Sequence, residues 1–259
     1  MDANLLAVLL FLNLAKSDNV SPTLTLFTKY DGYVPINGYA IADTSGTYKS
    51  LIHCTVACGQ LSDCTGIKYR DTNLNEGVVC DILSARVSYL EATPGEKYLQ
   101  VISGSSVAAF PVNIADDNST CVASSTANET SSCDNLWDNE RRIEPGMEWI
   151  SMNEDAGGWV RLQWTNYFDV IGLELWSRCW RAEQCSKIKA TFAEDKWKVI
   201  ERGCGSGNHS FDCQVLVREI YHVPHYRSNF VNITCLEDCE DSGADDSWGL
   251  QEVKLYRPV

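Results

Sequence analysis

Twelve cysteines, four before residue 105 and eight after it, constrain this chain more than any other feature. So many thiols in 259 residues fit an oxidising compartment, where they pair, better than a cytosol that keeps them reduced. Their even number leaves none over for a nucleophile. The first group is Cys54, Cys58, Cys64 and Cys80; the second runs from Cys121 to Cys239.

Two other properties shift at the same place. All eight tryptophans lie between Trp137 and Trp248. Through residue 103 there are 7 basic and 10 acidic residues, and from 104 onward 14 and 25, so the net charge of -14 divides into -3 and -11. Ser103-Gly104-Ser105-Ser106 reads as a flexible joint. The expected organisation is a module over residues 25–103, a linker over 104–112 and a second domain over 113–259. An apolar share of 44% excludes a disordered chain, and the acidity excludes phosphate-backbone binding, so no nucleic-acid partner is expected.

The N-terminus sets the compartment. Leu5 to Leu12 is an apolar run too short to span a bilayer, and Ala15 offers a small residue for cleavage. Residues 1–17 therefore read as a signal peptide, and no later segment reads as a transmembrane helix. Sequons begin at Asn19, Asn118, Asn128, Asn208 and Asn232, and the last four are the expected glycosylation sites of a secreted, extracellular protein.

In the first module, Leu51, Cys54 and Cys58 recur at i, i+3 and i+7, one face of a helix. Thr65–Arg70 alternates as a strand, Asn73–Gly77 is turn-rich, Val78–Leu83 is a second strand and Lys97–Val101 closes the unit. The pattern C-x3-C-x5-C, then G-x-x-Y, then C-x-[IL] resembles a PAN/apple domain over about residues 28 to 102. That resemblance implies a small α+β fold in which Cys54 pairs with Cys80 and Cys58 with Cys64. A zinc site on the same cysteines, with His53 beside them, is the weaker reading in an exported chain.

The second domain alternates through about seven short strands separated by turns: Trp159–Trp164, Phe168–Trp176, Lys187–Phe192, Trp197–Ile200, Cys213–Val217, Phe230–Cys235 and Gly249–Tyr256. This is the pattern of an antiparallel all-β sandwich or jelly roll. The fragments Asn135–Asp138, Glu148–Ser151, Gly158–Trp164, Val170–Trp176 and Gly249–Tyr256, in that order, resemble a galactose-binding-like, discoidin-type jelly roll of the coagulation-factor and fucose-lectin kind, from about Pro111 to Arg257. Sequential pairing of the eight cysteines would give Cys121–Cys133, Cys179–Cys185, Cys204–Cys213 and Cys235–Cys239, one of 105 possible arrangements.

The resemblance implies ligand binding by loops at one end of the sandwich. The loop Arg178–Cys185 supplies Trp180 to stack on a sugar face, with Arg178 and Arg181 to donate to its oxygens. The fucose-lectin pattern is incomplete, because Trp180 stands where Asp is required and Ser151 lies near the place of an upstream His. The lectin-like relatives also imply a structural calcium, for which Asn135, Asp138, Glu140 and Glu252 are the matching oxygen donors. The acidic run from Glu237 to Asp246 reads as a solvated loop, and His222-Val-Pro-His225 as a loop rather than a zinc site. No G-x-S-x-G, H-E-x-x-H or phosphate loop is present, so the expected function is not enzymatic. The reading is a secreted recognition or adhesion protein for extracellular glycans or glycoproteins. Its alternative is a disulfide-hardened matrix or coat component without a ligand site.

Overall fold

The computed structural model describes residues 9–12, 24–36, 39–40, 45–71, 77–85, 87–101, 107–112, 114, 118–126, 132–138, 149–150, 157–178, 185–202, 216–239 and 248–258. Contacts divide the chain into two units, Met1–Phe110 with Val259, and Pro111–Pro258.

The first unit contains β1 (Leu9–Leu12), β2 (Leu24–Pro35), β3 (Tyr39–Ala40), β4 (Gly46–Tyr48), α1 (Leu51–Gly59), β5 (Gly66–Asp71), β6 (Val78–Ser84) and β7 (Val87–Val101), and β8 (Val107–Val112) runs across the boundary after Phe110. Antiparallel pairing runs β1-β2-β7-β5-β6, and both β3 and β4 pair with β6. β1 lies within the segment read as a signal peptide. The stretch 104–112 is not a simple linker: its apolar half, Val107–Val112, forms β8, whose first residues pair in parallel with Val87–Tyr89. A strand ladder satisfies backbone groups that an apolar stretch would otherwise leave without partners.

Alternation sorts the residues of this sheet onto two faces. Phe27, Ile67, Tyr69, Cys80, Ile82, Leu99 and Val101 point to the helix side and form one core with Cys54, Cys58 and Cys64. On the other side Tyr30, Leu83, Leu90, Tyr98 and Ala108 form a second cluster, with Tyr30 stacked on Tyr98. α1 starts after Ser50, whose side chain pairs with His53 Nδ1 at 2.8 Å rather than capping the helix. Cys54 and Cys58, one turn apart, are both buried and joined to Cys80 and Cys64 respectively. Gly32, at φ 73, sits at the bulge where the β2–β7 register shifts, between Asp31 and Tyr33. Opposite that bulge β7 loops out between Ala92 and Lys97, with Gly95 at φ 84.

The second unit contains β9 (Thr120–Ala123), a 3-10 helix (Cys133–Trp137), β10 (Trp149–Ile150), β11 (Trp159–Arg178), β12 (Cys185–Ala193), β13 (Lys196–Glu201), β14 (Leu216–Asp238), β15 (Gly249–Leu250) and β16 (Glu252–Pro258). Its plan is a mostly antiparallel β-sandwich. The first part of β11 lies between β9 and the end of β14, which also pairs with β12, and β12 pairs with β13. The second part of β11 lies between β16 and the start of β14. One core joins both sets of strands: Val160, Leu162, Ile188, Phe192 and Ile233 on one side, Leu173, Leu175, Val253 and Leu255 on the other. Trp149 and Trp248 meet edge to face at 4.9 Å beside them.

Two expected pairs of strands are single strands. Trp159–Trp164 and Phe168–Trp176 are both β11, because the register with β14 shifts between Gln163 and Phe168 without ending the ladder. Likewise β14 runs unbroken from Leu216 to Asp238, so His222 and His225 lie on a strand, not in a loop. Pro224 is tolerated there because it falls at a second register shift, between Tyr226 and His222, where no ladder partner needs its missing N–H. The acidic run also begins inside β14, at Glu237 and Asp238.

Candidate functional site

The candidate ligand loop connects two strand ends. β11 ends at Arg178, in register with Leu216, and β12 starts at Cys185, in register with Asp238 of β14. Trp180 and Arg181 lie outside the described residues, and Arg178 is placed by its backbone alone.

The anchoring of this rim differs from the expected local staples. Cys185 is bonded to Cys235, 50 residues away, and not to Cys179. Cys235 is therefore not the partner of Cys239, which is itself disulfide-bonded. The reason is the ladder: β12 and β14 are neighbours, and Ile188 faces Cys235 directly, which brings Cys185 within reach across the pair. The Cα atoms of Cys185 and Cys235 are 5.8 Å apart, an ordinary disulfide span. Cys185 Sγ also lies 3.1 Å from the carbonyl of Glu237. Cys121 on β9 is bonded to Cys133 at the start of the 3-10 helix. Cys204 and Cys213 lie outside the described residues.

The proposed calcium donors are partly in view. Asn135 sits on the 3-10 helix and Asp138 caps its C-terminus, while Glu140 lies outside the described residues. Glu252 opens β16, is buried, and pairs in register with Trp176. The 3-10 helix and β16 are in contact, so the structure brings these segments together. Among the described residues no three His, Cys, Asp or Glu side chains gather as a metal-binding group. Of the sequons, Asn118 is exposed, Asn232 lies mid-strand in β14 opposite Arg161 and Thr191, and Asn128 and Asn208 lie outside the described residues.

A charged network missed by motif reading crosses β11, β14 and β16. Glu174 is fully buried. Arg218 donates to both its oxygens, Nε to Oε1 and Nη2 to Oε2, each at 3.1 Å. Trp176 Nε1 and Tyr256 Oη donate to the same carboxylate. The Arg218 guanidinium also lies 5.1 Å from the centre of the Trp176 ring. Burial, then the nearby Glu174 charge, pushes the Tyr256 hydroxyl well above its ordinary range. On the neighbouring positions Arg202 Nε donates to Glu219 at 2.6 Å and its Nη2 to Ser177 at 2.7 Å. His222 titrates below its ordinary value, first because it is desolvated and then because Lys198 and His225 repel its proton. The sequence did carry a signal for this network: Glu174 is a lone acid in the apolar run Val170–Trp176.

No protein-family model and no curated protein matches the chain. Among solved structures the chain is similar to carbohydrate-binding modules. One is a module from Clostridium perfringens in complex with GalNAc-beta-1,3-galactose, at 14% identity and TM-score 0.39 over 53% of this chain and 94% of that one. Another is the family 32 module of NanJ from C. perfringens in complex with galactose, at 11% identity and TM-score 0.41 over 57% and 99%. A third is a fucose binding module of Streptococcus pneumoniae, at 13% identity and TM-score 0.43 over 57% and 96%. Among the described residues no helix is long and apolar enough to cross a membrane.

Proposed function

We propose that this is a secreted, non-enzymatic recognition protein that binds extracellular glycans or glycoproteins through the loop between β11 and β12, with an apple-like module as its first domain. The observation that carries the reading is the covalent anchoring of the rim. Cys185, where the loop ends, is buried and tied to Cys235 of the next strand. A binding loop held by a rigid scaffold loses less entropy on capturing a ligand, which is how short loops become useful sites. The loop's own chemistry, Arg178, Trp180 and Arg181, suits a sugar ring with its hydroxyl or carboxylate oxygens. Structural calcium near Asn135, Asp138, Glu140 and Glu252 is part of the same proposal, as is glycosylation at Asn118, Asn128, Asn208 and Asn232.

The test is a glycan array read with the intact protein, Trp180→Ala and Arg178→Ala, each in calcium and in chelator. Binding that Trp180→Ala abolishes supports the loop; no binding across the array, or binding indifferent to both substitutions, sinks it. Loss in chelator supports the calcium site and indifference removes it.

A further inference from the structure

The first unit carries a groove on the sheet face away from α1. It has a volume of ≈ 280 Å³ and is lined by Lys68, Tyr69 and Arg70 of β5, Val79 and Asp81 of β6, and Glu96 of β7. The side chains of Lys68, Arg70, Val79 and Asp81 share a face by parity, since Ile67, Tyr69, Cys80 and Ile82 belong to the helix-side core. Glu96 reaches the groove from the segment of β7 that loops out between Ala92 and Lys97.

The charges are not all spent on one another. Lys68 and Glu96 form an ion pair at 2.9 Å and neutralise each other. Arg70 stands opposite Val79, and Asp81 opposite Lys68, so Arg70 and Asp81 are diagonal neighbours on adjacent strands. Beyond the backbone ladder, neither side chain makes a hydrogen bond or ion pair with another described residue. Diagonal positions on one sheet face lie about 7–8 Å apart. Among the described residues the groove thus presents one cation and one anion without a side-chain partner, with the apolar Val79 directly across from Arg70.

The geometry points to a binding site for a zwitterion whose two charges stand at opposite ends of an aliphatic stem. Its carboxylate is paired bidentately by Arg70, its ammonium by Asp81, and its stem lies along Val79. A purely anionic ligand would leave Asp81 facing like charge, and a purely cationic one would leave Arg70 so. The chemistry is that of a free ω-amino acid or of a lysine at a peptide's C-terminus.

The probe is 6-aminohexanoate, titrated into the full chain by ligand-observed NMR, with hexanoate and hexylamine as single-charge controls. Both protein charges are solvent-accessible, so each contact is screened and the dissociation constant should be on the order of millimolar. Each control, and each of Arg70→Gln and Asp81→Asn, should weaken binding roughly three- to fivefold, while the melting curve of either variant stays unchanged. Competition by a peptide ending in free lysine, lost on amidation, assigns the site to chain termini; binding of the free amino acid without such competition assigns it to a small molecule. Failure of 6-aminohexanoate to bind, equal binding of hexanoate, or full binding by both variants overturns the site.

Discussion

Replacing Arg218 by methionine should destabilise the second unit far more than replacing Glu174 by glutamine. The two residues form one ion pair, but they are buried unequally: Glu174 is 0% exposed and the Arg218 side chain 25%. In Arg218→Met the fully buried carboxylate keeps, among the described residues, only the neutral donors Trp176 and Tyr256. Stranding a buried charge in this way costs about 3–5 kcal/mol. In Glu174→Gln the side chain loses its charge but keeps much of its bonding, and the guanidinium can turn toward solvent, so the cost should be about 1–2 kcal/mol. The double variant removes the stranded charge and should be closer to wild type than Arg218→Met alone, a non-additivity that only a coupled pair produces. For a unit of this size about 1 kcal/mol moves the midpoint by roughly 2–4 °C. Arg218→Met should therefore melt about 10 °C below wild type by calorimetry. Equal effects of the two single variants, or simple addition in the double one, would refute the reasoning.

Three further outcomes follow from the same structure. The Cys185→Ala/Cys235→Ala variant opens a loop with a separation of 50 residues and should lose about 4 kcal/mol in the chain-entropy model, more than loss of Cys58–Cys64 with its separation of 6; a non-reducing peptide map that recovers Cys179–Cys185 would remove the basis for this. Gly66→Ala places a methyl against Tyr98 and 2.7 Å from the Leu99 carbonyl, so it should destabilise the first unit by roughly 1–3 kcal/mol in urea unfolding. His222 should titrate below 6.5 by NMR, and Lys198→Ala should raise it. Because its folded value is depressed, its contribution is lost as pH falls through 6.5 toward the folded value, and being exposed it should cost only a few tenths of a kcal/mol.

Periodicity made the local pieces legible. The spacing of Leu51, Cys54 and Cys58 placed α1 to within a residue at its start, and alternation placed β5 and β6. It failed where strands continue through irregularities. Thr165–Tyr167 and Pro224–His225 look like breaks, yet a shifted register absorbs them and β11 and β14 run on. The candidate site was legible only as residue chemistry. Cys185 could not be matched to Cys235 from spacing, because proximity on adjacent strands has no counterpart in sequence distance. Arg70 and Asp81 were invisible as a pair for the same reason: their strands meet across the turn-rich stretch between them.

The long ladder between β11 and β14 decides what would happen if the chain were cut. Everything from residue 179 to 215, including β12 and β13, is inserted between its two partners. A protease that opened the peptide between Glu201 and Leu216 would leave β11, β12 and β13 on one fragment and β14 to β16 on the other. Those fragments would still share the β11–β14, β11–β16, β12–β14 and β10–β15 pairings and the Cys185–Cys235 bond. A nicked molecule would therefore run as two bands only after reduction.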